Sequence, residues 1–288
     1  MGAMAVCPRL LAACVGLSLS ASSVALAFCR THTEDPAAGS CPQTCPDEGL
    51  PLAWYTATPT YAFNERGFPG LSDGQLRGIF DAAFQTWQSV RCSDRSIGLQ
   101  IRAKASATTL EEGPESAEPN DNVIVHFAAT DWMQHGLPPH AFAITAVWFG
   151  ATSGEILGAD MMFNGAMDSF GDCAPDGCRE TGPETDLRNV ATHEIGHFLG
   201  LSHSAVPTST MWCDAAPGEL TKRKLSPDDI AGVCDIYPPG SAFMHPAEHV
   251  THACAVSSEP ASFALPVGLG AAALLGLCWR RRRRPPRA

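Results

Sequence analysis

Positive charge is scarce in the body of this 288-residue chain. Of its 19 Lys and Arg, Arg9 lies near the start, and Arg280 to Arg284 and Arg287 lie at the very end. With Glu259 also set aside, 12 basic residues face 29 acidic ones, a balance near −17. That excludes a nucleic-acid partner, which calls for a basic patch or stripe. Acidity of this kind favours solubility and biases binding towards basic substrates. No internal repeat is visible, so repeat architectures are excluded too. Cys41 and Cys45 have a spacing that some zinc sites use, but no matching second pair follows. A cysteine-held structural zinc is therefore not expected.

What is present begins at the two ends. Residues 1–27 combine Arg9, an apolar stretch from Leu10 to Leu26 and a small-residue exit at Ala25-Leu26-Ala27. That pattern is a secretory signal peptide, cleaved after Ala27. At the far end Phe263 to Trp279 is uncharged and mostly apolar, and Arg280 to Arg284 follow directly. This run reaches the lower end of what spans a bilayer, and the arginines would hold the C-terminus on the cytoplasmic side. The protein is thus expected to be exported, at the cell surface or extracellular, with the membrane a partner at least transiently through its C-terminal tail. Nine cysteines fall between residues 29 and 254. In an exported protein they read as disulfides. Leaving out Cys254, the other eight permit four bridges in any of 105 pairings. Cys173–Cys178, closing a short loop, and Cys213–Cys234, tying the turn around Met211 to the last helix, are the expected pairs.

Between the ends the chain divides into a Cys/Pro-rich segment at 28–52, one regular domain at 53–238, a linker at 239–262 and the tail at 263–288. Trp54 to Phe63 reads as a first strand. Ser72 caps a helix whose stripe is Leu76, Ile79, Phe80, Ala83, Phe84, Trp87 and Val90, spaced by threes and fours. Ile97 to Ile101 alternates as a half-buried strand, and 104–122 is a loop. Strands follow at 123–127, 143–149 and 156–163, the last two joined by a turn-rich Gly150 to Gly154. A loop at 164–183 leads into a helix at about 184–199. Ser226 and Pro227 open a closing helix that ends near Tyr237.

The chemistry lies in His193-Glu194-Ile195-Gly196-His197-Phe198-Leu199-Gly200-Leu201-Ser202-His203. On a helix His193 and His197 project from one face and can share a metal ion. Glu194 stands beside them without being a ligand, placed to accept a proton from water activated by the metal. Gly200 lets the chain turn sharply, bringing His203 round as a third ligand. Three imidazoles leave one tetrahedral position open, the mark of a catalytic zinc. Spacing of this length arises by chance in roughly one chain in ten thousand.

Met211 follows His203 in Ser209-Thr210-Met211-Trp212. HExxHxxGxxH with a methionine turn resembles the metzincins, and the short gap with His203-Ser204-Ala205-Val206-Pro207 looks most like the matrixin branch. The resemblance covers roughly residues 53 to 238 in element order. It implies an α/β (α+β) zincin-like catalytic domain: a twisted mixed sheet, an active-site helix and a small C-terminal subdomain. It also implies that Met211 forms a hydrophobic floor beneath the zinc. The edge strand at Thr145, Ala146, Val147 and Trp148 would pair with the backbone of a protein or peptide substrate.

Matrixins also carry a structural zinc, but His126, His135 and His140 match it poorly, and a methionine of Gly158 to Phe163 stands where a ligand would be. Asp160, Asp168, Asp172 and Asp176 could hold Ca2+, without a regular loop spacing to support it. His245, His249 and His252 are expected to be exposed in the linker. The matrixin propeptide segment Pro-Arg-Cys-Gly-x-Pro-Asp, whose thiolate latches the zinc, is absent from 28–52. Cys254, the apolar span and the arginines resemble myxobacterial-type C-terminal sorting tails, which would make Cys254 the processing point, although Ala253 stands where Gly is usual.

The reading is a zinc-dependent endopeptidase that hydrolyses peptide bonds outside the cytoplasm. Two alternatives stand beside it. One is a zinc-binding surface protein without turnover, against which intact Glu194 argues. The other is a narrow-specificity envelope processing protease.

Overall fold

The computed structural model describes residues 28–34, 41–111 and 121–240, apart from 43, 167–168, 174, 176, 179–184 and 217, and the backbone of a strand at 250–260. The expected signal peptide, the apolar tail, His245 and His249 lie outside the described residues.

The elements run β1 (Thr60–Phe63), α1 (Asp73–Gln88), β2 (Arg91–Cys92), β3 (Arg95–Ser96), β4 (Arg102–Ala103), β5 (Asn122–Ala128), α2 (Ala129–Gln134), β6 (Ala143–Gly150), β7 (Ile156–Gly165) and β8 (Phe170–Gly171). They continue with β9 (Thr185–Asp186), α3 (Leu187–Phe198), β10 (Asp214–Ala215), a 3-10 turn at Thr221–Arg223, α4 (Pro227–Ile236) and β11 (Val250–Pro260). The main sheet has the order β10-β11-β6-β7-β5-β1-β4. β4, β1, β5 and β7 run parallel to one another, whereas β6 runs antiparallel to β7 and β11 antiparallel to β6. This is the mixed α/β sheet with an adjoining helix that the sequence implied.

Strand alternation sorts side chains to two faces. Ile124, Ala143, Val147, Phe149 and Phe163 join the main core with the apolar stripe of α1 and the apolar residues of α3. Val123, Val125, Phe127, Ile144, Ala146 and Met162 form a smaller cluster on the opposite face with Trp132 of α2. α1 starts where expected: Ser72 and Gln75 form a reciprocal capping box. α4 likewise opens at Ser226 with Pro227 in its first turn.

Several expectations are corrected. The first strand is only Thr60–Phe63, because Trp54 turns into the core as a hydrogen-bonding ring. Ile97, Leu99 and Ile101 are buried as their alternation required, but they belong to no strand. Their backbone is served irregularly: Gln100 N–H donates to Ala57 O at 2.8 Å and Ile101 N–H to Gln88 Oε1 at 2.7 Å. α2 lies in a stretch that carried no helical periodicity. α3 begins at Leu187, three residues later than expected, where Asp186 caps it.

Cys173–Cys178 forms as expected, but Cys213–Cys234 does not. The bridges are Cys29–Cys45, Cys41–Cys213 and Cys92–Cys234. Cys41, in the segment before the domain, takes the partner expected for Cys234. Finally, residues 250–260, expected to be linker, form β11 along β6. Among the described residues, no helix is long and apolar enough to cross a membrane.

Candidate metal centre

α3 is held at both ends. Asp186 accepts the N–H of Asn189 at 2.7 Å and of Cys173 at 2.9 Å, and Arg223 Nε donates to it at 2.8 Å. At the other end, Trp54 Nε1 donates to Phe198 O at 2.7 Å and Tyr237 Oη to Leu199 O at 2.8 Å. These donors satisfy carbonyls that a helix terminus leaves orphaned. Gly200 follows at φ +95°, a conformation that suits glycine, and a Cβ there would lie 2.6 Å from Leu52 O. The turned chain is then gripped by the 28–52 segment: Thr31 N–H donates to Gly200 O and Ser202 N–H to Cys29 O, each at 2.9 Å. Placement of His203 therefore depends on Cys29 to Thr31, far upstream in the chain, as well as on Gly200.

The three histidines converge. His193 Nε2 lies 3.3 Å from His203 Nε2 and 3.1 Å from His197 Nε2, and all three rings are buried. His193 Nδ1 sits 2.7 Å from Thr210 O, and His197 Nδ1 2.8 Å from Leu201 O. A carbonyl can only accept, so both Nδ1 atoms carry hydrogen and both Nε2 lone pairs point inward. Burial, followed by nearby positive groups, holds both imidazoles well below their ordinary pKa and so neutral. Crowded lone pairs of this kind are repulsive unless a cation lies between them. A tetrahedral ion with metal–nitrogen bonds of about 2.05 Å sets its ligand atoms about 3.3 Å apart. The donor set and its spacing fit zinc. Among the described residues, the other group of metal-capable side chains is Cys41, Cys213 and Asp214, whose two cysteines are disulfide-bonded.

Glu194 is fully buried beside the histidines, and its Oε2 accepts from Thr145 Oγ1 at 2.7 Å. Met211 packs against α3: a Cβ on Gly196 would lie 2.1 Å from Met211 Sδ, so a larger residue there would push the methionine aside. The turn around Met211 is held by a residue that sequence reasoning passed over. Buried Asp229 accepts N–H groups from Thr210 (2.8 Å), Met211 (3.0 Å) and Ser226 (2.7 Å). Its place at the third position after Ser226 signals a helix cap, which conceals its second task. Lys222, also buried, has its pKa pushed down to about 8 by that burial, and its Nζ donates to Trp212 O.

Of the remaining residues singled out in the sequence, Thr145 alone reaches the site, through its bond to Glu194. Thr145, Ala146, Val147 and Trp148 are on β6, whose outer edge is paired with β11, Val256 opposite Thr145 and Cys254 opposite Val147. His126 packs against Phe68 and Phe170, and the His135 ring lies 4.6 Å from that of Phe127. His140 is exposed. Asp160 accepts Val123 N–H at 2.7 Å and Asp172 pairs with Arg223; Asp168 and Asp176 lie outside the described residues.

Residues 119–238 match the family described as Matrixin. Metalloendoproteinase 4-MMP of Arabidopsis thaliana is 46% identical over 180 residues, covering 62% of this chain and 45% of that protein. Metalloendoproteinase 2-MMP of Arabidopsis thaliana is 27% identical over 179 residues, covering 62% of this chain and 40% of that protein. Matrilysin of Rattus norvegicus is 48% identical over 48 residues, 17% of this chain and 18% of that protein. The chain thus spans less than half the length of these relatives. Matrixins bind a catalytic zinc, and the convergent histidines lie inside the matched segment. Sheet, helix, histidine cluster and relatives point the same way: residues 119–238 of this chain are similar to the matrixins, and the wider chain is similar to plant metalloendoproteinases.

Proposed function

We propose that the domain at 53–238 is a zinc-dependent endopeptidase acting on proteins or peptides outside the cytoplasm. The observation that carries this reading is the trio of inward-facing Nε2 atoms with a buried carboxylate, Glu194, next in sequence to one of them. Zinc held by His193, His197 and His203 would supply Lewis acidity, polarising the scissile carbonyl and making water a better nucleophile at neutral pH. Glu194 takes a proton from the attacking water and passes it to the leaving amine as the C–N bond breaks. The peptide lies antiparallel along β6, its backbone hydrogen-bonded to the strand at Thr145 to Trp148. Met211 gives the histidines an apolar floor.

Export through residues 1–27, retention by 263–288 and processing at Cys254 belong to the same proposal, and four disulfides support an oxidising compartment. The narrow-specificity alternative draws on one observation: the β6 edge is already paired with residues 250–260, so a substrate has to displace a strand.

The test compares the chain from Phe28 onward with its Glu194→Ala variant on a diverse peptide library, with zinc measured in both. Cutting by the first alone, with about one zinc in each, is the expected result. Zinc in both with cutting by neither would overturn it in favour of a binding protein.

A further inference from the structure

Beyond the backbone role proposed for β6, one of its side chains reaches the base. Alternation along the strand sends residue 145 to the face that carries α3, together with Ala143 and Val147. Thr145 is 0% exposed. Its Oγ1 lies 2.7 Å from Glu194 Oε2 and 3.2 Å from Glu194's own backbone oxygen. A hydroxyl has one hydrogen to give, and the nearer, charged oxygen is the stronger acceptor. Both partners sit on rigid supports. Thr145 is β-branched, so its χ1 is stiff, and its strand is locked to β7 opposite Met161. Glu194, by contrast, has three rotatable bonds and would lose considerable rotamer freedom to stay in one place.

We propose that Thr145 is a positioning residue for the hydrolysis: its hydroxyl holds the Glu194 carboxylate in the orientation that takes the proton from water. This rests on the function proposed above. It joins two tasks in one residue, whose backbone meets the peptide while its side chain sets the base. A one-ångström drift of that base is enough to slow the reaction substantially.

The experiment uses the zinc-loaded chain from Phe28 onward with Thr145→Val, which keeps the shape and deletes the hydroxyl, and Thr145→Ser, which keeps the hydroxyl. Zinc content and melting temperature are recorded for each. On a peptide substrate, Thr145→Val lowers kcat roughly tenfold, as loss of a hydrogen bond to a charged group should, while KM stays within about twofold. Thr145→Ser stays close to wild type. A merely structural role would affect both variants, or KM alike.

A second readout needs no turnover. Acetohydroxamic acid chelates a metal through two oxygens and shares its acidic proton with a neighbouring carboxylate. Calorimetry should show its affinity roughly tenfold lower in Thr145→Val and retained in Thr145→Ser. In a Glu194→Ala background, Thr145→Val should change nothing further. Equal affinity in wild type and Thr145→Val, loss in Thr145→Ser, or an effect that persists without Glu194 would each overturn the assignment. If the hydroxamate pattern appears but no peptide is cut, the endopeptidase reading fails while the Thr145–Glu194 coupling stands.

Discussion

Asp229 shows how much one buried carboxylate holds in place. It accepts three backbone N–H groups, two of them in the turn whose Thr210 carbonyl receives His193 Nδ1–H. Removing it orphans all three donors, at about 1–3 kcal/mol each when they stay buried. Asp229→Ala is therefore expected to lower unfolding free energy by roughly 3 kcal/mol or more. It should also weaken zinc binding about tenfold or more, as loss of an outer-shell partner typically does. Denaturant titration and competition with a metal indicator check both, and Asp229→Asn, which keeps one acceptor oxygen, should fall in between. His126 makes a different argument. Burial lowers its pKa below the ordinary 6.5, so between the folded pKa and 6.5 the unfolded chain binds the extra proton. Stability from this group is complete above 6.5 and drains away as pH falls through that window. A His126→Gln chain should lose less stability between pH 7.5 and 5.5 than the native one, read from urea midpoints at the two values. An equal slope would show that His126 is not a contributor.

At the scale of elements, legibility followed locality. α1 and α4 were readable because stripe and cap are both local: Ser72 and Ser226 begin their helices where the pattern placed them. The convergence of the three histidines was readable for the same reason, since they and Glu194 fall within eleven residues. What escaped depends on distant partners. Trp54 looked like a strand residue and is instead a donor to Phe198 O, 144 residues away. Thr145 looked like one edge-strand residue among four, and nothing in the local pattern marks its hydroxyl as a partner of Glu194. β11 was invisible because its strand character comes from pairing with β6. That pairing yields a test. Ending the chain before Val250 bares the outer hydrogen-bonding groups of Ala143 to Gly150. Amide exchange should then speed up at every second residue of β6, leaving those bonded to β7 protected. If β6 is the peptide-binding edge, the shortened chain should also cut peptides faster than the full one. Unchanged exchange would mean that β11 does not occupy the edge in solution.

On the scale of the whole molecule, the site depends on a segment that holds none of its functional groups. Residues 28–52 grip Gly200 and Ser202 by backbone bonds, and Cys41–Cys213 fastens the same segment next to the methionine turn. Along the chain, the first support lies just before His203 and the second after it. The expected pair Cys213–Cys234 failed because nothing local in the sequence marks Cys41 as a partner 172 residues away. The consequence is an ordering of disulfides. Cys41–Cys213 spans 172 residues and Cys173–Cys178 spans 5. Taken as isolated loops, their closure is worth about 5 and about 2 kcal/mol in chain entropy. Cys92–Cys234 already closes an overlapping loop, so the larger figure shrinks. The paired substitution Cys41→Ser with Cys213→Ser should still cost more melting temperature than Cys173→Ser with Cys178→Ser. The two should differ more sharply in zinc release to a chelator: the first loosens the methionine turn and the hold on His203, while the second pair touches neither. Rapid release from the first variant at a temperature where it remains folded is the expected result. Equal release rates would mean that α3, Gly200 and Asp229 place the third histidine without help from the 28–52 contacts.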